Sequence, residues 1–200
     1  MTDEEFVQLL ALGRELSGLE FKGPGPRSDR QLFAQVARAV LGMANRRDGG
    51  TVVIGVQDDQ GSLHPVGVDE EDLVTWHYDG VADALAEYAD PSVSFDLEFK
   101  THDGRTYVVV EVAEFEDIPV LCKRAYSDVL RSGACYVRPR RKPETSEIPT
   151  QAEMRDLLDL ATDKGVQRFL ARAQRTGMIS FIAAAPDDRE RFGEQLGDLR

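Results

Sequence analysis

Asp48-Gly49-Gly50-Thr51-Val52-Val53-Ile54-Gly55-Val56-Gln57-Asp58 carries the sharpest structural signal in this chain of 200 residues. Asp-Gly-Gly reads as a turn. The β-branched run from Thr51 to Val56 lacks the alternation of a half-solvated strand, so it predicts one buried on both faces. Asp58-Asp59-Gln60-Gly61 follows as a tight turn into a second extended stretch, Leu63 to Val68. Upstream, after Ser28 or Asp29, Leu32, Phe33, Val36, Ala37, Val40 and Leu41 fall on one helical face, with Arg30, Gln35 and Arg38 elsewhere.

Farther out the pattern continues to alternate between helix and strand. Phe6, Leu9 and Leu10 predict a short helix over Asp3 to Arg14, capped by Thr2 or Asp3. Leu16-Ser17-Gly18 breaks it, and Leu19 to Lys22 reads as a short strand that Gly23-Pro24-Gly25-Pro26 ends. A second helix is expected from Asp69–Asp72 to Tyr88, before Pro91. Val93 to Lys100 and Arg105 to Ala113 form a predicted hairpin across Asp103-Gly104. Ile118 to Cys122 and Ala134 to Arg138 are shorter strand candidates, and a last helix spans about Thr150 to Arg175 with a break or shift near Gly165. The apolar stretch Met178 to Ala185 and a charged tail complete the chain.

The size suits one domain, placed at 1–160, with a helical extension over 161–200 that packs on the domain or on a partner. Cys122 and Cys135 show no metal spacing, and no apolar run is long enough to span a bilayer, so the expectation is a cytoplasmic protein without a membrane segment. A net charge of −12 argues against a surface that grips nucleic acid everywhere. Between Cys122 and Lys142, however, Lys123, Arg124, Arg131, Arg138, Arg140, Arg141 and Lys142 face the single acid Asp128. On charge alone this run is equally a binding patch or a solvated strand and loop.

Three acids sit at junctions between predicted elements: Glu15 closes the first helix, Glu20 lies in the short strand and Asp58 ends the buried one. Glu15 and Glu20 can face one site only if Leu16-Ser17-Gly18 bends the chain. Lys22, two residues beyond Glu20, shares its strand face. Such a set could hold Mg2+ or Mn2+ and stabilise charge on a phosphodiester. From spacing alone each acid reads rather as an ordinary surface or turn residue, because acids are abundant in this chain.

Read in order, Glu15-Leu16-Ser17-Gly18-Leu19-Glu20-Phe21-Lys22, then Ala44-Asn45 through Asp58, then Gly133-Ala134-Cys135-Tyr136-Val137-Arg138, the sequence resembles the AlbA-type domain of the Schlafen family from about Gly13 to Leu160. The resemblance implies an α/β (α+β) fold, a mixed, largely antiparallel sheet flanked by helices in a single lobe. It implies a metal-dependent endoribonuclease acting on structured, transfer-RNA-like RNA, with Glu15, Glu20 and Asp58 as the catalytic, metal-holding acids and Lys22 beside them. Arg46, Arg47, Lys123, Arg124, Arg138, Arg140, Arg141 and Lys142 are then expected to position RNA. Other relatives imply a non-catalytic DNA-binding regulator or a nucleotide-binding subunit. One lobe where animal Schlafens use two implies a homodimer or a partner subunit.

Overall fold

A helix, α1 (Asp3–Ala11), starts at a reciprocal cap: Glu5 N donates to Thr2 Oγ1 at 3.2 Å, and Thr2 N donates to the Glu5 carboxylate at 2.8 Å. The computed structural model describes residues 1–139 and 144–178. The chain divides into two units, Met1–Ala161 and Thr162–Arg200.

After α1 come a short strand, β1 (Leu19–Lys22), and the central helix α2 (Arg30–Ala44). Asp29 starts α2 by accepting hydrogen bonds from Gln31 N and Leu32 N, so the second of the two predicted caps is the one used. Strand β2 (Gly50–Ile54) then leads into a hairpin of β3 (Val56–Asp59) and β4 (Ser62–Pro65). Helices α3 (Glu70–Leu73) and α4 (Tyr78–Ala86) precede β5 (Ala89–Asp90), β6 (Phe95–His102) and β7 (Arg105–Val112). Two-residue strands β8 (Leu121–Cys122), β9 (Tyr136–Val137) and β10 (Ser146–Glu147) lead to α5 (Gln151–Arg175).

The main sheet has the order β1-β2-β7-β6. Only β1 and β2 run parallel, and the other pairs are antiparallel. Alternate residues of β2 enter different cores, as the pleat requires. Val52 and Ile54 pack with Val36 and Val40 of α2 and with Val108 and Val110 of β7. Val53 packs on the opposite face with Phe6 and Leu10 of α1, Phe21 and Val109. The strand is therefore buried on both faces, as the unalternated sequence predicts, and the fold is the expected mixed, largely antiparallel α+β arrangement.

Three departures have identifiable causes. The predicted strand Thr51 to Val56 ends at Ile54 because Gly55 has φ +111°, and a Cβ there would lie 3.0 Å from Gly67 C and from Tyr107 Cδ1. Gly55 N donates to Lys22 O at 2.9 Å, while its carbonyl accepts from Val66 N and Gly67 N. The chain thus leaves the main sheet at Gly55 and carries Asp58 into a separate hairpin. The predicted helix from Asp69 to Tyr88 is split because Trp76 Nε1 donates to Gly25 O at 2.9 Å and Arg27 N donates to Thr75 Oγ1 at 2.8 Å. These bonds pin the Gly-Pro loop instead of letting the helix continue. In α5, by contrast, Gly165 causes no break. A single glycine costs a helix about 1 kcal/mol, which is a preference and not a barrier. Among the described residues no helix is long and apolar enough to cross a membrane.

Candidate functional site

The segment between α1 and β1 supplies the bend that two converging glutamates require. Leu16 and Leu19 exchange backbone hydrogen bonds, at 3.3 and 3.1 Å, across Ser17-Gly18. Glu15 is thereby folded back alongside β1, where its Oε1 accepts from Phe21 N at 3.0 Å. So tight a turn leaves carbonyls pointing inward, and buried carbonyls need donors.

Arg138 provides them. Its Nε donates to Ser17 O at 3.0 Å, and its Nη2 to Leu16 O at 2.8 Å and Leu19 O at 2.9 Å. Its Nη1 pairs with Glu20 Oε2, which also accepts from Thr145 Oγ1 at 2.8 Å. Lys22 Nζ holds the other oxygen, Glu20 Oε1. The planar guanidinium offers five fixed donors, a number no other side chain matches. Arg138 has a side-chain exposure of 0%, so the expectation that it contacts RNA at the surface is corrected: it is an interior staple.

Asn45 fixes the position of that staple. It is buried, and its Nδ2 donates to Val120 O at 2.7 Å and to Tyr136 O at 2.9 Å, while its Oδ1 accepts from Val120 N at 2.7 Å. Tyr136 lies two residues before Arg138, so the amide sets the path of the strand that delivers the guanidinium.

Asp58 arrives by the other route. It is exposed on the β3–β4 hairpin, opposite Leu63, and its Oδ1 accepts from Gly61 N at 2.8 Å to close the turn. Despite these different settings, Glu15, Glu20, Lys22 and Asp58 all line one open cavity of about 950 Å³. Its wall includes the cations Arg14, Lys22 and Arg38 and the carboxylates Glu15, Glu20, Asp58, Asp128 and Glu144. The wall is acidic overall, with Arg14, Lys22 and Arg38 as the points at which an anion could be met.

Sharing a cavity is not the same as sharing an ion. Among the described residues no three His, Cys, Asp or Glu side chains are grouped closely enough to hold a metal. Both oxygens of Glu20 are engaged by Arg138, Thr145 and Lys22, so the donor set, as arranged, does not fit a single Mg2+ or Mn2+. Burial pushes the pKa of Glu15 up from its ordinary 4.5, a rise reinforced by the nearby Glu20 and opposed by the Phe21 N–H.

The expected basic patch is dispersed. Arg46 donates to Gly49 O at 2.6 Å and Arg47 O at 2.9 Å, closing the turn before β2. With Arg47 it lines a second cavity of about 520 Å³, which Asp48, Glu153, Asp156 and Asp159 also border. Arg124 is ion-paired with Glu87, and neither it nor exposed Lys123 lines the cavity of the three acids. Arg140, Arg141 and Lys142 lie outside the described residues. Gln31, Gln35 and Arg38 of α2, and Thr145, line the acid-bearing cavity without having been singled out from sequence. The spacing of the first three, one stripe on the polar face of a helix, is the signal that could have found them.

A family model described as Schlafen, AlbA_2 matches residues 15–145. No curated protein matches the chain. Among solved structures, the DIP2311 protein from Corynebacterium diphtheriae is similar at 18% identity and a TM-score of 0.48, covering 72% of this chain and 27% of that one. The N-terminal domain of a RecG-related protein from Nitrosomonas europaea is similar at 22% identity and a TM-score of 0.42, covering 57% of this chain and 74% of that one.

Proposed function

This chain belongs to the Schlafen AlbA_2 family, and we propose that it acts on nucleic acid at the cavity bordered by β1, the β3–β4 hairpin and α2. More finely, we propose an endoribonuclease that cleaves structured, transfer-RNA-like RNA there. The observation that carries the reading is that Glu15, Glu20, Lys22 and Asp58, from segments remote in sequence, line one cavity.

The groups divide by setting. Glu20 belongs to the frame, because its oxygens are taken up by Arg138, Thr145 and Lys22. Glu15 accepts from Phe21 N with Oε1 and has Arg138 Nη2 3.9 Å from Oε2, while Asp58 accepts from Gly61 N with Oδ1 on an exposed hairpin. Burial raises the pKa of Glu15 above its ordinary 4.5, the direction that favours a proton-donating role. Lys22 would neutralise a phosphate oxygen. A-form RNA is recognised largely through shape and backbone, so few base contacts are needed. The family resemblance implies Mg2+ or Mn2+, but the carboxylates as arranged do not fit such an ion, so the reading rests on the chain's own groups.

The second reading is a non-catalytic RNA- or DNA-binding module, favoured by the engagement of both Glu20 oxygens. Purified protein incubated with transfer RNA and Mn2+ separates the two. The endoribonuclease reading expects cleavage that Asp58→Ala abolishes. Salt-sensitive binding without cleavage at any protein excess assigns the second reading. Neither binding nor cleavage removes both.

A further inference from the structure

The two arginines nearest the acids are in opposite states. Arg138 makes hydrogen bonds to Leu16, Ser17, Leu19, Glu20 and Thr145 and has no exposed side-chain surface. Arg38 lies half-buried on α2 and lines the same cavity. Its Nη2 donates to Thr145 O at 2.7 Å, and its guanidinium carbon stands 5.5 Å from the centre of the Tyr136 ring. Its Nε–H is shielded and has no acceptor among the described residues.

We propose that Arg38 is the phosphate clamp of the cavity, taking a backbone phosphate of the bound nucleic acid. This rests on the nucleic-acid reading above and names the group that holds its substrate. Stacking on Tyr136 and the bond to Thr145 fix the plane of the guanidinium before any ligand arrives, so little side-chain freedom is lost on binding. A phosphate offers two oxygens to a planar fork, the pairing for which guanidinium is best shaped. Gln31 and Gln35 continue the same stripe along the cavity wall and add neutral donors and acceptors beside the charge. Thr145 connects clamp and frame, since its carbonyl holds Arg38 while its hydroxyl donates to Glu20 at 2.8 Å.

The test is fluorescence anisotropy of the full chain with a labelled RNA hairpin across a salt series. Arg38→Gln is expected to weaken binding about tenfold, the loss of one charged contact. It should also reduce the slope of log affinity against log salt by about 0.7–0.9, the share of one phosphate. A merely structural arginine would not change that slope. Should Arg38→Gln fail to fold, the 15N Nε–H resonance of Arg38 in the wild type, assigned through Arg38→Lys, carries the test: it must shift on RNA addition. An unchanged slope, or an unmoved resonance while RNA binds, overturns the clamp. A wild type that binds no RNA overturns the nucleic-acid reading itself, and that arm is read before any variant.

Discussion

Glu20 and Asp58 line one cavity, yet physically they have little in common. Glu20 is 7% exposed and meets Arg138, Thr145 and Lys22, whereas Asp58 stands on an exposed hairpin and its Oδ1 accepts from Gly61 N. Acids that a sequence motif treats as equal members of a set are therefore divided by burial into one that holds the fold and one that is available to a ligand. Replacing Glu20 would confound stability with activity, while replacing Asp58 would not.

The largest expected effect tests the framing side of that contrast. Arg138→Ala leaves Glu20 buried without its main partner, strands the Ser17 carbonyl and removes a second bond from Leu16 O and Leu19 O, so unfolding in urea should show a loss of about 3–5 kcal/mol. Arg138→Lys should recover little of it, because an ammonium cannot reproduce the planar fork. A loss below about 1 kcal/mol would show that the Leu16–Leu19 turn stands without the staple.

Asn45→Ala comes next. It removes the partners of Val120 N, Val120 O and Tyr136 O and should cost about 1–3 kcal/mol by the same measurement. Its consequence should reach the cavity, because Arg138 is delivered by the strand that Asn45 holds.

Glu15 gives a pH-dependent test. Its folded pKa is raised above the ordinary 4.5, so between that value and the raised one the folded chain binds a proton that the unfolded chain releases. The stabilisation this provides is complete below 4.5 and is lost as pH rises through the folded pKa. Glu15→Gln abolishes the titration, so its stability relative to wild type should rise with pH across the window and then level. A difference that is flat with pH would contradict the burial argument.

The smallest effect belongs to Asp58. Asp58→Ala should leave stability within about 0.5 kcal/mol, as expected for an exposed turn residue, so any loss of RNA handling in this variant reports on the site itself.

Much of this fold was legible because burial was written into periodicity. The stripe Leu32 to Leu41 on α2, the unalternated Val52-Val53-Ile54 and the Asp103-Gly104 hairpin each obey a local rule, and at the hairpin both residues take positive φ, at 50° and 71°. The bend at Leu16-Ser17-Gly18 was legible as a requirement. That Arg138 is drawn into it was not, since a basic residue beside Arg140, Arg141 and Lys142 gives no sign that it will be buried. The early end of β2 at Gly55 and the split at Trp76 were likewise hidden, because both are set by contacts with residues remote in sequence, Gly67 with Tyr107 and Gly25. The stripe Gln31, Gln35, Arg38 is legible in the spacing, but that Arg38 is fixed against Thr145 and Tyr136 is not, because both lie remote in sequence.

Titration of the 15N-labelled chain with a structured RNA, followed by backbone amide shifts, tests most directly where nucleic acid is handled. The account predicts that the perturbed amides gather around the cavity, at Lys22, Gln35, Asp58 and Gly61. Shifts confined to the other cavity, around Arg47 and Asp156, with those four unmoved, would contradict it.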